Sequence, residues 1–385
     1  VKEVMNKLCL APISDTHIGL CVKIASRCLG MKEIDLKRKF DPGKFSGGEY
    51  HPQFILNGEN KTLEGKTVYV LMTPGPFKEP EALVKRAEFV SETAKENGAE
   101  KAVVLTTEFP HARQDRGADE DEKAIGEVNA ARSHTKHFKT SGIDEVITIH
   151  EHSPRISAFF AQSYGLLPEG MDFDANNPEI QQIGRKVFKA ISPHAVLADY
   201  LLHHSSLVGT EFLENEGEKI VLKAVDKGNV EFIEKLQKAL FLENSSIVYC
   251  EKARAAKNDP DKVEIKIKGA TEKFKTLEGA LEIYADDGLD TGGTMIKSVK
   301  ESEKGNISEG KIYGQPADRI IYFTHAWLAG RGYENIQRRL IKEIKAREFL
   351  TTNTRPYIED GQYYEFKTKS TVLKIAFLLG DAILS

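Results

Sequence analysis

Short apolar runs alternate with amphipathic helical segments along this chain, and that alternation limits the possible folds more than any other feature. Residues 68–72 form an apolar run, as in a buried strand, and Pro74 follows it. Apolar side chains then recur at helical spacing from Leu83 to Ala94, and Gly98 is placed to end that helix. Strands and helices that alternate in this way predict an α/β fold with a mainly parallel sheet flanked by helices.

The alternation continues through two successive halves of the chain. In the first half, strands are predicted at residues 102–105 and 146–149, with a helix between them at about 122–139. In the second half, the same pattern predicts a helix at 192–203 with Ser192 as its N-cap, and strands at 220–225, 247–250, 280–284 and 320–323.

The pattern restarts after about residue 163, beside a stretch that is rich in loop-forming residues. That stretch, residues 165–177, contains several Gly, Pro, Asp and Asn residues, as connections between domains often do. Two α/β domains of similar layout are therefore expected, over residues 1–163 and 164–385.

Composition and charge exclude several classes of protein. The 385 residues include 54 basic and 58 acidic side chains, for a formal net charge of −4, which argues against a nucleic-acid coat or a membrane-surface protein. No apolar run approaches about 18 residues, so no transmembrane helix is expected, and no signal peptide is visible. The four cysteines form no CxxC pair, so reduced thiols in a cytoplasmic protein are expected.

The most specific segment is A-D-D-G-L-D-T-G-G-T at residues 285–294, which follows an apolar strand and precedes a helical run. Small residues let the backbone approach a phosphate closely, and the N–H groups of a helix start point at it. Thr291 and Thr294 add hydroxyl donors, and the carboxylates of Asp286 and Asp287 can hold ribose hydroxyls or a magnesium ion. The alternative is an acidic turn that closes a strand. The segment resembles the PRPP-binding loop of the phosphoribosyltransferase superfamily.

A second segment, F-P-H-A-R-Q-D-R at residues 109–116, follows the predicted strand at 102–105. Arg113 can donate two hydrogen bonds to phosphate oxygens, and Gln114 can hydrogen-bond a base or a ribose. The segment resembles the F-P-Y-A-R-Q-D signature of the ribose-phosphate pyrophosphokinases, which contacts ATP. That resemblance implies ATP-binding roles for Arg113, Gln114 and Asp115, whereas the alternative is an exposed charged loop.

The segment K-F-S-G-G-E at residues 44–49 resembles the K-F-S-N-Q-E element of the same family. In that family the Phe packs on adenine and the Glu reads the base, often across a subunit boundary. The resemblance therefore implies that Phe45 and Glu49 bind ATP near a subunit boundary of a homo-oligomer. Gly47 departs from the pattern, and the alternative for Phe45 is an ordinary core or surface aromatic.

The segment C-E-K-A-R at residues 250–254 follows a predicted strand and opens a polar stretch. Two cations one residue apart on a mobile loop suit the charge that develops on a transferring diphosphoryl group. The segment resembles the family's catalytic loop, with its K-x-R core, which implies that Lys252 and Arg254 are catalytic. The alternative is a solvated basic strand end.

The segment V-I-T-I-H-E-H-S at residues 146–153 resembles V-I-T-x-D-L-H-S of the family, which uses the Asp and the His around the metal and the nucleotide. His152 matches the His, which implies a contact with ATP or the metal. His150 stands where the family has Asp, and an extended strand would put both imidazoles on one face. Magnesium prefers oxygen ligands, which ATP phosphates and nearby carboxylates can supply, so we expect activity with magnesium. Manganese accepts nitrogen ligands more readily, so we expect higher activity with manganese when the metal concentration is limiting. The alternative is that His150 touches no metal.

The segment V-D-K-G-N at residues 225–229 resembles S-P-D-A-G-G of the family and lies between a predicted strand and a helix. Asp226 matches the motif, whereas Lys227 and Asn229 depart from it. The resemblance implies a metal contact for Asp226, together with the two histidines above, and Mg²⁺ as the cofactor.

Two further segments resemble family elements and are expected to support sheet ends, namely T-H-A at residues 324–326 and T-N-T at residues 352–354. The resemblance to the ribose-phosphate pyrophosphokinases thus covers nearly the whole chain, with the motifs in the same order. It implies two stacked phosphoribosyltransferase-like domains, with an exchange of the terminal segment between them left open.

The resemblance also implies a reaction, in which the C1 hydroxyl of ribose 5-phosphate attacks the β-phosphorus of Mg-ATP to give PRPP and AMP. ATP and ribose 5-phosphate are then the partners of a cytoplasmic homo-oligomer that binds neither nucleic acid nor membranes. The implied ribose 5-phosphate site consists of Asp286, Asp287, Asp290, Thr291, Gly292, Gly293 and Thr294. Two alternatives stay open: a catalytically weak regulatory subunit, suggested by Gly47, His150 and Lys227, and a phosphoribosyltransferase, which needs the PRPP loop but not the ATP and K-x-R segments.

Overall fold

The computed structural model describes residues 7–13, 15–28, 30, 40–56, 63–74, 80–117, 125–254, 263–268, 274, 276–304, 306–307, 311–312, 314–328, 333–355, 358, 366 and 368–385. The chain divides into two compact units, Val1–Ile191 with Ile375–Ser385, and Ser192–Lys374. Each unit is built on a mainly parallel sheet flanked by helices, which confirms the predicted α/β fold class. Within the described ranges, no helix combines the length and apolarity needed to cross a membrane.

The first unit contains a five-stranded parallel sheet and a two-stranded ribbon. Its strands are β1 (Leu8–Pro12), β2 (Phe40–Asp41), β3 (Gln53–Phe54), β4 (Thr67–Met72), β5 (Lys101–Thr106), β6 (Glu145–Ile149) and β7 (Phe188–Ile191). Its helices in this part of the chain are α1 (Asp15–Cys28), α2 (Pro80–Glu96), α3 (Ala130–Thr140), α4 (Arg155–Ser163) and α5 (Pro178–Gly184). The sheet has the order β1-β4-β5-β6-β7, and β2 pairs with β3 in the ribbon.

Helices cover both faces of this sheet because successive residues of a strand point to opposite sides. Val68 and Val70 of β4 belong to a core that includes buried apolar side chains of α2 and α4. Tyr69 and Leu71 of the same strand belong to a second core, which includes buried side chains of α1. A strand that is buried on both faces is apolar throughout, which is why these strands were predictable from continuous apolar runs.

The second unit contains a seven-stranded sheet and another short ribbon. Its strands are β8 (Ile220–Ala224), β9 (Ser246–Arg254), β10 (Val263–Lys268), β11 (Leu281–Leu289), β12 (Asn306–Ile307), β13 (Lys311–Ile312), β14 (Asp318–Ala326), β15 (Glu348–Thr352) and β16 (Ser370–Leu373). Its helices are α6 (His194–His203), α7 (Val230–Ala239), α8 (Gly293–Glu303) and α9 (Tyr333–Glu343), with 3₁₀ segments at Glu211–Gly217 and Lys227–Asn229.

The sheet of the second unit has the order β10-β9-β8-β11-β14-β15-β16. The outer pair β9 and β10 is antiparallel, whereas every other pair in the sheet is parallel. The carboxyl ends of β8, β11 and β14 therefore meet at one edge, where open α/β sheets generally bind their ligands.

The boundary between the units lies later in the chain than the predicted position after residue 163. The helix α5 and the strand β7 complete the first unit, because β7 pairs in parallel with β6. A Cβ atom on Gly184 would lie 1.7 Å from the carbonyl oxygen of Ser157, so α5 packs directly against the backbone of α4. The loop-rich stretch at residues 165–177 is therefore an internal connection of the first unit.

Residues 375–385 return to the first unit. Their helix α10 (Ala376–Leu384) buries Leu379 in the core that contains Leu8. The hydroxyl of Tyr69 donates a hydrogen bond to the carbonyl oxygen of Ile383 at 3.4 Å. The second unit is thus shorter at both ends than the predicted second domain.

Two predicted helices begin later than expected. α3 starts after Asn129, whose Oδ1 accepts a hydrogen bond from the N–H of Arg132 at 2.9 Å, and residues 118–124 lie outside the described part. α6 starts at His194, so Ser192 is not its N-cap; instead the Ser192 hydroxyl lies 2.9 Å from Nδ1 of His194.

Candidate functional site

The turn between β11 and α8 contains the residues predicted to bind a phosphate. Gly292 has φ = 70°, in the left-handed region that favours glycine. A Cβ atom on Gly292 would also lie 2.8 Å from Cδ2 of Leu340, so both the backbone angle and the packing require glycine. α8 begins at Gly293, which places the first N–H groups of the helix at the turn, where an anion can bind.

The remaining residues of this turn are accessible to a ligand. Thr291 is exposed, and Asp290, Gly293 and Thr294 are half-buried. Helix-start N–H groups and accessible hydroxyls at one turn are the arrangement that the sequence predicted, and they can bind a phosphate group.

The acidic pair Asp286 and Asp287 lies on β11 itself, whereas the sequence predicted a strand that ends at Tyr284. Asp286 is half-buried, and its Oδ1 accepts hydrogen bonds from the N–H of Asp287 at 3.0 Å and from Nδ2 of Asn229 at 2.7 Å. Asp287 is only 7% exposed, and neighbouring strand residues face opposite sides. Asp286 is therefore the more accessible of the two carboxylates for a ligand.

Asp226 lies close to Asp286 because β8 and β11 are neighbouring parallel strands. Ala224 at the end of β8 is in register with Ala285 of β11, so the residues that follow both reach the same sheet edge. Oδ1 of Asp226 accepts a hydrogen bond from Nδ2 of Asn229 at 3.3 Å, so one amide group contacts both carboxylates. Asp226 was predicted to share a metal site with His150 and His152, and no role was predicted for Asn229.

The strand β11 is supported next to the turn by side chains at the carboxyl ends of β14 and β15. A Cβ atom on Gly288 would lie 2.4 Å from the ring of Trp327, so that ring packs on the β11 backbone. The ring of His325 stacks on Trp327 with centroids 6.0 Å apart, and its Nδ1 lies 3.0 Å from Oγ1 of Thr354. His325 and Thr354 belong to the two segments that were predicted to support sheet ends, whereas Trp327 lies just after the first of them, and all three lie beside the turn that is predicted to bind a phosphate.

A buried polar network lies between the sheet and α8. Nζ of Lys223 donates to Oε1 of Glu282 at 3.2 Å, to the hydroxyl of Tyr284 at 3.1 Å, and to the hydroxyl of Ser302. Burial opposes the charge on Lys223, but the attraction of Glu282 outweighs it, so the pKa of Lys223 is raised. The network ties α8 to β8 and β11. No role was predicted for Lys223 and Glu282, the charged residues that lie inside two apolar strands.

The residues predicted to be catalytic lie on β9, which extends beyond the predicted strand end at Cys250. The backbone of Lys252 is paired with Ile265 of β10, and that of Arg254 with Val263. The K-x-R segment is thus part of a β-ribbon and not of a loop. The side chains of Lys252 and Arg254 and the residues between the two strands lie outside the described part, so the catalytic roles stay a prediction.

In the first unit, the predicted ATP-binding segment forms a turn after β5. The buried ring of Phe109 anchors it against three other aromatic rings, those of Phe138, Phe160 and Phe188. The N–H of Gln114 donates to the carbonyl oxygen of His111 at 2.8 Å. Arg113 and Gln114 are exposed, so a nucleotide can reach both side chains.

Asp115, the third residue predicted to bind ATP in this turn, faces the interior. Its Oδ2 lies 3.3 Å from Nε of Arg155, and both side chains are largely buried. Arg155 also donates from Nη1 to Oδ1 of Asn176 at 2.6 Å. A buried ion pair of this kind holds the turn against the start of α4, which indicates a structural role for Asp115, and its contact with ATP stays a prediction.

A pair of histidines supports the same turn. Nδ1 of His111 lies 2.8 Å from Nε2 of His134, and Nε2 of His111 lies 2.8 Å from Oε1 of Glu81. Burial, together with the nearby charge of His111, lowers the pKa of His134 to about 4. The His134 ring is therefore neutral at neutral pH. No role was predicted for these three residues.

The predicted base-binding residues Phe45 and Glu49 lie on a tight hairpin between β2 and β3. The N–H of Phe45 donates to the carbonyl oxygen of Glu49 at 3.0 Å, and Gly48 in the turn has φ = 91°. The Phe45 ring is 54% exposed and lies 4.2 Å from the ring of His51. An exposed aromatic ring next to an exposed carboxylate suits a nucleotide base, and the base itself stays a prediction.

Comparisons with known proteins agree with the motifs. No family model matches the chain. The ribose-phosphate pyrophosphokinase of Mycobacterium leprae is 24% identical over 357 residues, which cover 91% of this chain and 86% of that protein. Ribose-phosphate pyrophosphokinase 1 of Streptococcus pneumoniae is 24% identical over 344 residues, which cover 89% and 85%. The chain is a divergent relative of the ribose-phosphate pyrophosphokinases.

A solved structure shows the same fold. The crystal structure of phosphoribosylpyrophosphate synthetase from Mycobacterium smegmatis matches with a TM-score of 0.66 and 22% identity, covering 98% of this chain and 98% of that chain. The likeness therefore includes both units and the residues that connect them.

The chain departs from the ribose-phosphate pyrophosphokinase pattern at His150. β6 ends at Ile149, and His150 has φ = 45°, in the left-handed region, with its N–H bonded to the carbonyl oxygen of Ile191 at 2.9 Å. The prediction that His150 and His152 share one face of an extended strand is therefore wrong. His152 is exposed, as a contact with ATP would require.

The predicted metal set draws on both units, since Asp226 lies in the second unit and both histidines lie in the first. In the parts of the chain that the structure describes, no group of three or more His, Cys, Asp or Glu side chains is arranged to hold a metal ion. Asp226 and Asp286 do offer oxygen donors at one sheet edge, and oxygen is the ligand type that Mg²⁺ prefers. The carboxylates of the second unit therefore fit Mg²⁺ better than the predicted histidines do.

Proposed function

We propose that the chain is a ribose-phosphate diphosphokinase, which transfers the β,γ-diphosphoryl group of ATP to the C1 hydroxyl of ribose 5-phosphate and gives PRPP and AMP. The observation that carries the proposal is the anion-binding turn at the start of α8, at the same sheet edge as the carboxylates of Asp226 and Asp286. A phosphorylated sugar needs both kinds of group. The similarity to ribose-phosphate pyrophosphokinases over 91% of the chain supports this choice.

In this proposal, the turn binds the 5-phosphate of the sugar. N–H groups of the first turn of α8 and the hydroxyls of Thr291 and Thr294 donate hydrogen bonds to the phosphate oxygens. Asp290 lies in the same turn and orders it, and Asp286 accepts hydrogen bonds from the ribose hydroxyls. Both contacts orient the sugar, which is the main task of a protein in a phosphoryl-type transfer.

ATP is proposed to bind the first unit. Arg113 donates to the phosphates, Gln114 hydrogen-bonds the base or ribose, and His152 contributes to the phosphate site. Phe45 stacks on the base and Glu49 reads it, in a cytoplasmic homo-oligomer that places this hairpin near a subunit boundary.

During transfer, the C1 oxygen forms a bond to the β-phosphorus while the bond from that phosphorus to the α,β-bridging oxygen breaks. AMP leaves with that oxygen, and the proton of the C1 hydroxyl is released. Lys252 and Arg254 stabilise the negative charge on the diphosphoryl group. Mg²⁺, which Asp226 and Asp286 would help to hold, would neutralise phosphate charge.

The test is to incubate the protein with MgATP and ribose 5-phosphate and to measure PRPP and AMP. We expect equal amounts of both products, and neither product without ribose 5-phosphate. Lys252→Ala should lower turnover by about 10²- to 10³-fold with both substrate affinities nearly intact, because its charge acts in the transition state. Lys219→Ala is the control, since Lys219 is an exposed lysine at the amino end of β8.

The alternatives predict different products. A catalytically weak regulatory subunit would make little AMP by itself, and this result would contradict the proposed activity. A phosphoribosyltransferase would consume added PRPP in the presence of a nucleobase and release diphosphate, without using ATP.

A further inference from the structure

Asn229 is a buried side chain at the carboxyl edge of the second sheet, and it links two acidic residues from different strands. It is 6% exposed. Its Nδ2 donates one hydrogen bond to Oδ1 of Asp286 at 2.7 Å and another to Oδ1 of Asp226 at 3.3 Å. A primary amide nitrogen carries two hydrogens, so both of its donors are used on the two carboxylates.

The backbone around Asn229 fixes the position of this amide. Oδ1 of Asp226 also accepts a hydrogen bond from the N–H of Gly228 at 3.0 Å, which makes Asp226 the cap of the 3₁₀ segment Lys227–Asn229. The N–H of Asn229 donates to the carbonyl oxygen of Asp226 at 3.3 Å. α7 starts at the next residue, so Asn229 is held between a capped turn and a helix.

The Asn229 amide stabilises this arrangement, because the negative charges of Asp226 and Asp286 repel each other when both carboxylates approach one atom. A neutral amide that donates to both carboxylates offsets this repulsion, and hydrogen bonds to charged acceptors are stronger than those to neutral ones. Oδ1 of Asp286 receives the Asn229 amide and the N–H of Asp287 together. Two donors on one oxygen define the plane of the carboxylate, and hence where its other oxygen lies.

We propose that Asn229 is a positioning residue for sugar recognition: it orients the Asp286 carboxylate toward the hydroxyls of ribose 5-phosphate. The inference rests on the proposed function, because it assigns Asp286 to the ribose. The S-P-D-A-G-G motif that this segment resembles has glycine where this chain has Asn229, and glycine has no side chain to make either contact. The chain therefore orients this carboxylate with a side chain of its own.

The first experiment is a double-mutant cycle with Asn229→Gly and Asp286→Ala, measured by titration with ribose 5-phosphate and, separately, with ATP. Asn229→Gly should raise the Kd for ribose 5-phosphate about tenfold and leave the Kd for ATP within about twofold, as expected for a lost bond to a charged group. In the Asp286→Ala background, the same substitution should have almost no further effect. Additive effects in the cycle would overturn the inference, because Asn229 would then not act through Asp286.

Two more variants keep the inference testable if Asn229→Gly does not fold. Asn229→Ser keeps one donor and should retain part of the affinity for ribose 5-phosphate. Asn229→Asp has nearly the same shape but places a third carboxylate beside the other two, so it should weaken sugar binding more than Asn229→Ser does. Wild-type affinity in Asn229→Asp would contradict the inference.

The control is Asn244→Gly. Asn244 is exposed at the amino end of β9, where its Nδ2 donates to the carbonyl oxygen of Asn215 at 3.1 Å, and the substitution should leave both affinities unchanged. If the wild-type protein itself does not bind ribose 5-phosphate, the proposed function fails and this inference fails with it. If the wild-type protein binds the sugar and the cycle is additive, only the role of Asn229 is refuted.

Discussion

Lowering the pH should destabilise the first unit through His134. The ring is buried on α3, lies 2.8 Å from His111, and stacks near Phe138 with centroids 6.4 Å apart. Burial and the neighbouring positive charge lower its pKa from 6.5 to about 4. In the unfolded chain this histidine takes up a proton below about pH 6.5, whereas in the folded chain it does so only below about pH 4.

The sign of the effect follows from these two values. At pH values between about 4 and 6.5 the unfolded state binds more protons than the folded state, so the free energy of unfolding falls as the pH falls. The contribution of His134 is fully present above about pH 6.5. A difference of about 2.5 pKa units corresponds to about 3 kcal/mol over the whole window, and about 2 kcal/mol of that is lost by pH 5.

The assay is urea unfolding at pH 7 and pH 5, followed by circular dichroism, for the wild type and His134→Gln. The wild type should lose about 2 kcal/mol more stability between the two pH values than the variant does. His51→Gln, at an exposed histidine of the same unit, should match the wild type. The same loss in His134→Gln as in the wild type would refute the reasoning, and so would an NMR titration of the His134 ring with a midpoint near 6.5.

Three further predictions concern residues around the candidate site. Gly292→Ala should lower the free energy of unfolding in urea by about 2–3 kcal/mol, because the added Cβ atom would clash with Leu340. Gly209 also has a positive φ, of 75°, but has open space around it, so Gly209→Ala should lower the free energy of unfolding by only about 1 kcal/mol. Equal losses in the two variants would exclude the clash with Leu340. Asp115→Asn should lower the free energy of unfolding by about 2–4 kcal/mol, because it leaves Arg155 buried without its carboxylate partner. The KM for ATP should stay within about twofold of the wild-type value. A large rise in that KM at unchanged stability would instead support the predicted ATP contact. Thr294→Ala should raise the Kd for ribose 5-phosphate about tenfold and leave ATP binding unchanged, and equal effects on both substrates would contradict the assignment of the turn.

The fold class was predictable because the central strands are buried on both faces and therefore read as apolar runs. β7 was missed because it is a short edge strand with the sequence F-K-A-I, in which burial does not continue beyond Phe188. α10 was missed as part of the first unit because its partners, such as Leu8 and Tyr69, are more than 300 residues away in the sequence. Neither pairing leaves a local pattern.

In the candidate site, too, contacts between residues far apart in the sequence could not be predicted. The segment at residues 285–294 was recognisable in the sequence because its Asp, Gly and Thr residues are contiguous. The inward orientation of Asp115 depends on Arg155, and the contact of Asn229 with Asp286 depends on the pairing of β8 with β11. His150 was placed wrongly because the strand ends at Ile149 and the backbone of His150 turns into the left-handed region, which no residue type at this position announces.

The return of residues 375–385 to the first unit has a consequence for biosynthesis. While the ribosome translates the second unit, the face of the first sheet that contains Leu8 and Leu10 has not yet received α10. The unit that is made first is therefore completed only after the second unit has been made, and its apolar face needs protection from aggregation until residues 375–385 have been synthesised. A premature stop codon within residues 375–385 should accordingly harm the N-terminal unit more than the unit to which those residues are directly attached.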